Sequence, residues 1–495
     1  MKAATRVPNA LLARTEHRIK PDPSRTLSRL FVPGQESLIQ GESRATPVID
    51  RILSLTEAEV EQTLARTMAR FSDGYRDLPQ TLENHFSLVA HRVGAEIEMS
   101  RARRQLIGAY FTQEYALEAA ALFNPSMVRH PDQSGCQPDE VRFVMSLRAV
   151  GEGHLSSIEF RTGIIGAGPV IRFDPPGRFL DTGRTRPVRY DRRLFQIKLT
   201  EYGQDDENTR LLWSILPPRF TGVELEAALT ELARQHVTRG DSTGLADRLR
   251  WMAASNYAVG FGDDHALAEQ VLWPTAPDES HGMEDARFVL FTDGADVTYY
   301  ATYTAFDGAQ VAPHLLETPD FRTFTSAQLS GPSASNKGMA LFPRKIAGRY
   351  AALSRWDRES NGITYSDDAH DWSQARTLQS PARPWELIQL GNCGSPIETP
   401  AGWLVFTHGV GPMREYAIGA ILLDLAEPER LIAALPEPLL VADPSEREGY
   451  VPNVVYSCGA MLHGEVVVLP YGCSDSSVRI ATVDLPRLLE RLTPR

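Results

Sequence analysis

The chain has 495 residues, 42% of them apolar and 23% charged, which is enough to bury a large core with room for more than one domain. Its net charge of −12 argues against a general nucleic-acid-binding surface but leaves space for a local basic pocket around a single phosphate. No apolar run reaches the roughly eighteen residues of a membrane span, and the basic N-terminal stretch lacks a signal peptide's apolar centre, so no membrane association and a cytoplasmic location are expected.

Residues 1–50 carry scattered Arg, Pro and Ser without periodicity and read as an extended or partly disordered arm. A helical extension is expected over 51–123. Thr56 and Glu59 have capping-box spacing, and Val60, Leu64, Met68 and Phe71 follow on one helical face before Gly74. Leu82, Phe86, Val89 and Val93 mark a second helix that continues past Arg104. A third covers Gln113–Phe123 and is closed by Asn124-Pro125. The pattern then changes to short strands, Val141–Leu147 and Ile158–Arg161, interrupted by a helical insertion at about 221–254 that opens with the capping box Thr221–Glu224. From about 286 onward, strands of four to seven residues recur between turns, among them Thr298–Tyr303, Tyr350–Arg355, Trp403–Thr407, Ile418–Leu423 and Val466–Pro470. Two loops share an Asp–aromatic pattern, Thr318-Pro319-Asp320-Phe321 and Ser366-Asp367-Asp368-Ala369-His370-Asp371-Trp372. Such regular strands with a repeated turn suggest a mainly β fold, a propeller or a sandwich, over 124–495.

Cys136, Cys393, Cys458 and Cys473 are too few for a disulfide framework in a chain of this length and match no zinc spacing. They read as buried thiols, with Cys393 set inside a motif. The histidines are scattered, and no metal constellation, phosphate-cradling Gly-rich loop or Gly-x-Ser-x-Gly elbow occurs.

Four segments concentrate polar side chains beside short apolar strands: Gly282-Met283-Glu284-Asp285-Ala286-Arg287, Asn336-Lys337-Gly338-Met339, Gly391-Asn392-Cys393-Gly394-Ser395-Pro396 and Gly402–Gly409, which carries His408. In this order they resemble the β-mannoside phosphorylases and hydrolases of glycoside hydrolase family 130. The resemblance implies a five-bladed β-propeller with Asp285 as the general acid. A general acid must hold its proton near neutrality through burial or a neighbouring negative charge, which Glu284 is placed to supply. In an inverting phosphorylase the nucleophile is inorganic phosphate, so a basic clamp replaces the second carboxylate. Candidates are Asn336, Lys337, Arg344, Lys345, Arg355, His408 and Arg414, with Arg favoured for its paired donors. By the same resemblance, Asn124, Arg148, Glu284, Arg287, Asp307 and Asp475 line the sugar site.

The chain departs from the family pattern at Ala286, where relatives carry Pro, and at Ser335 and Gln389, where many carry cations. Losing two cations should weaken phosphate binding, since each charge-assisted contact is worth about 1.5–3 kcal/mol. The expected function is inverting phosphorolysis of a β-mannosidic bond to give α-mannose 1-phosphate, with no cofactor beyond phosphate as co-substrate. Its partner is a β-mannoside oligosaccharide, and homo-oligomerisation is possible. One alternative is hydrolysis of the same bond, with Glu398, Glu446 or Glu448 as base. The other is a catalytically silent propeller that binds glycans or a protein.

Overall fold

The computed structural model describes residues 11–33, 44–93, 97–168, 170–235 and 243–494. The chain divides into two compact units. One joins Met1–Pro21, Ala120–Pro176 and Thr182–Arg495, and the other joins Asp22–Ala119 with Gly177–Asp181.

The larger unit is mainly β, built from successive antiparallel meanders. Ala121–Arg129, Val141–Val150 and Ser156–Ile165 form the first. Gly282–Asp293, Asp296–Phe306, Val311–Thr318 and Thr323–Gln328 form the second, and one parallel pair, Gly282 with Ser156, merges the two into an eleven-stranded sheet. Tyr350–Ser354 and Asn361–Ser366 centre a four-stranded sheet, and Gly402–Val410 with Tyr416–Leu423 centre a seven-stranded one. In the last sheet Val466–Cys473 and Ser477–Asp484 form a hairpin, and the N-terminal strand Leu12–Ile19 adds antiparallel to its outer strand. No strand ladder joins these sheets, but isolated parallel bridges, Ser126 with Gly459 and Thr292 with Arg344, tie the eleven-stranded sheet to segments beside its neighbours.

Each expected strand exists, and all but Tyr350–Arg355, which ends at Ser354, run longer than expected. Buried aromatic rings fill the second meander. Phe160 stacks with Phe324, Phe288 stacks with Phe321, and Tyr299 meets Phe321 edge-on at 4.7 Å. The repeated Asp–aromatic turn is a packing device. Asp320 and Asp368 accept backbone N–H groups of the turn, while Phe321 and Trp372 are fully buried.

The helical insertion begins earlier than expected. Arg192–Glu201 and Glu207–Ile215 precede Gly222–Gln235 and Thr243–Ala254, around a core that includes Phe195, Leu212, Phe220, Leu229 and Leu249. The Thr221–Glu224 capping box is formed, with Glu224 Oε2 accepting the Thr221 N–H at 2.7 Å.

The smaller unit holds helices Ala45–Leu53, Glu57–Phe71, Leu78–Val89 and Arg101–Tyr110. The Thr56–Glu59 capping box forms as expected. The second helix stops at Val89, and a new one starts after the Ser100 N-cap, so no single helix runs past Arg104. The helix expected over Gln113–Phe123 does not form: Thr112–Ala116 pairs with Thr26–Leu30, and Ala121 opens the first meander. Long-range pairing overrides local helix preference there, and Asn124-Pro125 sits in a bulge where the missing proline N–H costs no ladder bond. The expected arm over 1–50 is likewise used in part. Leu12–Ile19 belongs to the larger unit and Thr26–Leu30 to the smaller one, while 1–10 and 34–43 lie outside the described residues. Among the described residues no helix is long and apolar enough to cross a membrane.

Arg14 ties the N-terminal strand down. Its Nη2 meets the buried Glu446 at 3.2 Å, and Glu446 also accepts the Tyr471 hydroxyl at 2.7 Å. Arg14→Ala leaves that carboxylate one cation short, so urea denaturation should show a loss of about 1–2 kcal/mol. An unchanged midpoint would remove Arg14 from the strand's anchorage.

Candidate active site

The site starts at an irregularity in Gly282–Asp293. Pairing with Asp296–Phe306 slips between Glu284 and Arg287, and Asp285 takes a φ of 58°. A bulge leaves a residue unpaired and re-aims its side chain. A second bulge, in Ala121–Arg129, puts Asn124 at a φ of 49°, and its Nδ2 donates to Asp285 Oδ1 at 2.6 Å. Arg148 donates Nη2 to Glu284 Oε1 at 2.6 Å and Nη1 to Asp285 Oδ1 at 3.4 Å. Lys337 Nζ donates to the other Glu284 oxygen. Arg287, fully buried beneath, donates to the Asp285 carbonyl at 3.1 Å and to the Tyr456 hydroxyl at 2.7 Å.

This network reverses the expected role of Glu284, whose charge is already matched by Arg148 and Lys337. Burial pushes the Asp285 carboxyl up, but Arg148, Lys337, Arg287 and the Asn124 amide together outweigh it and hold it below the usual carboxylate range. Asp475 goes the other way. Burial, followed by the charge of Asp285, pushes it up to about 6.

The basic side is built from three motifs that lock together. Asn392 donates Nδ2 to the Gly338 carbonyl at 2.6 Å, and its own carbonyl lies 3.2 Å from His408 Nδ1. That contact makes Nδ1 the protonated nitrogen and leaves the Nε2 lone pair facing Arg355 Nη1 at 3.4 Å. Burial, then the charges of Arg355 and Arg287, hold His408 well below its usual value, so it is neutral and not a cation of the clamp. Gly391 is needed here, because a Cβ would lie 2.5 Å from His408 Cε1. Arg355 Nε is buried without a hydrogen-bond partner among the described residues.

Asp285, Asn124, Arg148, Lys337, Arg355, His408, Arg414 and Asp475 all line one cavity of about 200 Å³. Asn336 and Asp307 line a larger adjoining cavity. There Asn336 binds the Trp356 carbonyl and Arg358, while Asp307 caps its own turn through the N–H groups of Ala309 and Gln310. Glu284 and Arg287 support the wall from behind. The three glutamates weighed as bases are elsewhere: Glu398 pairs with Arg344 at 2.7 Å, Glu446 is buried against Arg14 and Tyr471, and Glu448 is exposed. Arg344 is spent on Glu398 and Lys345 on Asp293, so neither joins the clamp. Among the described residues no group of three or more His, Cys, Asp or Glu is placed to hold a metal.

Residues 262–493 match the family model described as β-1,4-mannooligosaccharide phosphorylase. A 1,2-β-oligomannan phosphorylase of Thermoanaerobacter sp. (strain X514) is 31% identical over 228 residues, 44% of this chain and 74% of that protein. A β-1,2-mannobiose phosphorylase of the same strain is 33% identical over 48% of this chain and 79% of its own length. The chain belongs to glycoside hydrolase family 130. A further family relative, the β-1,2-mannobiose phosphorylase of Listeria innocua serovar 6a, is 32% identical over 45% of this chain and 63% of its own length.

Asn124 and Arg148 lie outside the stretch that matches the family 130 model, yet they touch Asp285 directly. Sequence reasoning missed Tyr416, Tyr456 and Phe123, which also line the small cavity. A tyrosine in a strand reads as core, and only the bend of its strand shows that it faces a site. Asn124, Asp285, Asn336, Arg414 and Asp475 all have positive φ, at about 1–2 kcal/mol for each such residue.

Asp475 should be visible in the pH dependence of stability. Its folded value of about 6 exceeds the ordinary 3.8, so the folded protein binds this proton more tightly than the unfolded chain does. That contribution is complete below about pH 4 and is lost as pH rises through about 6, a change of up to about 3 kcal/mol. Asp475→Asn should therefore gain stability over the parent between about pH 4 and pH 7 in urea denaturation. A constant difference across that range would place the carboxyl in water.

Proposed function

We propose that this protein is an inverting β-mannoside phosphorylase, with its successive meanders forming the blades of a five-bladed propeller around the site. The observation that carries the reading is that Asp285, Lys337, Arg355 and Arg414 line one small cavity, with Arg355 Nε unsatisfied among the described residues. An oxygen of phosphate attacks the anomeric carbon as the bond to the leaving sugar oxygen breaks, and that oxygen takes a proton originating at Asp285. The products are α-mannose 1-phosphate and a glycan one mannose shorter.

In the free site Asp285 is held ionised by its cationic neighbours, which suits a base better than an acid. A phosphate dianion beside Lys337 and Arg355 offsets those charges, and burial then raises the Asp285 value. On this reading phosphate brings both the nucleophile and the condition under which Asp285 carries a proton.

Hydrolysis is the second reading, and Asp475 favours it. This carboxyl lines the cavity, and a value of about 6 suits a general base that activates water near neutrality. Incubation with β-1,2- and β-1,4-mannobiose, with and without phosphate, separates the two. Mannose 1-phosphate formed only with phosphate supports phosphorolysis, whereas mannose released equally fast without it decides for hydrolysis.

Asp285→Asn should lower turnover by about 10²–10⁴-fold while leaving mannoside binding in place, read by single-turnover kinetics and calorimetry. A loss of only a few-fold would move the proton donor elsewhere. Gln389 lines both cavities and Ser335 the larger one, at positions where many relatives carry cations. Phosphate should therefore saturate weakly, and Ser335→Arg should lower its half-saturating concentration several-fold. Unaltered phosphate dependence in that variant would separate Ser335 from the phosphate site.

A further inference from the structure

The small cavity shares Lys337, Arg355 and Gln389 with a larger one of about 750 Å³. The helical insertion supplies part of the larger wall: Tyr202, which caps Arg192–Glu201, and Trp251, in Thr243–Ala254. Both lie outside residues 262–493, so this wall is a feature of the chain beyond the stretch its family model describes. Tyr202 is held by two cations over its ring, the Arg248 guanidinium carbon 4.6 Å and Lys198 Nζ 5.8 Å from the ring centre.

Asp278 lines the same cavity and is only 3% exposed. Its Oδ2 is fixed by His314 Nε2 at 2.6 Å, and His314 is held in turn by Ser326 at 3.2 Å. Its Oδ1 is buried with no hydrogen-bond partner among the described residues. Asp278 thus holds this edge of the cavity in place, while aromatic side chains in the wall suit the C–H face of a pyranose.

We propose that this cavity binds the leaving side of an oligosaccharide, with Trp251 and Tyr202 of the insertion forming its aromatic wall. The insertion thereby makes the enzyme prefer chains longer than a disaccharide. The inference rests on the β-mannoside reading above. A free disaccharide places one sugar on each side of the broken bond, so only a longer chain extends along the insertion's wall.

The test compares kcat/KM for β-1,2-mannotriose and β-1,2-mannobiose, and for the β-1,4 pair, in the parent, Trp251→Ala and Trp251→Phe. Circular dichroism and thermal melts establish that each variant is folded. The parent should favour the trisaccharide of one linkage. Trp251→Ala should cut the trisaccharide-to-disaccharide ratio about tenfold, mostly through KM, and Trp251→Phe should restore much of it. A ratio unchanged in folded Trp251→Ala overturns the role of the insertion and leaves the activity standing. If the parent turns over none of the four sugars, the activity reading fails by itself. Calorimetric titration of each trisaccharide into parent and Trp251→Ala then decides the cavity's role, and equal affinities overturn it.

Discussion

Asp285 is a carboxylate placed at a left-handed backbone position in a buried strand, and much of the surrounding structure follows from keeping it satisfied there. Taking such a charge out of water costs several kcal/mol unless donors and cations surround it. Asn124 and Arg148 come from the first meander, Lys337 from the segment before the third, and Arg287 from the same strand. Four stretches of chain must therefore be in register before the carboxylate is stable. The bulge aims the side chain at Asn124 and Arg148, while Arg287 takes the Asp285 carbonyl and Lys337 the adjacent Glu284.

The polar groups around it divide into those that face the cavity and those that hold others in place. His408 is neutral, and its fixed tautomer turns a lone pair towards Arg355, which limits where that guanidinium can point. Asn392 joins the Gly338 turn to the His408 strand, so three motifs distant in sequence move as one body. Rigid placement of this kind lowers the reorganisation needed when charge develops in a reaction. The positive φ values at Asn124, Asn336 and Asp475 extend the same principle to the backbone.

The elements that the sequence made legible were those with a local signal. Capping boxes at Thr56 and Thr221 located helix starts, and apolar runs located strands such as Val466–Cys473. The motif residues Asp285, Lys337, Arg355 and His408 were found because their segments have a recognisable order, and the structure gathers them in one cavity. What escaped depends on partners far along the chain. The strands Leu12–Ile19 and Thr112–Ala116 have weak local patterns and exist because residues 477–484 and 26–30 pair with them. The charge states of Asp285 and His408 were misread for a related reason: sequence names the neighbouring charges but not their distances. Glu284 looked like a negative neighbour until its two cations were visible.

The pairing of Leu12–Ile19 with Ser477–Asp484 bears on the order in which the protein can fold. The first strand emerges from the ribosome more than four hundred residues before its partner, as the register Leu12 with Val483 makes plain. At about 5–20 residues per second, it waits tens of seconds with an unpaired edge while the intervening meanders assemble. Its alternating Arg, Thr, Glu and His side chains give that edge a charged, polar character unsuited to casual pairing with other chains. Among the described residues this pairing closes a loop of very high sequence separation, and its loop entropy is met only once residues 477–484 have been made.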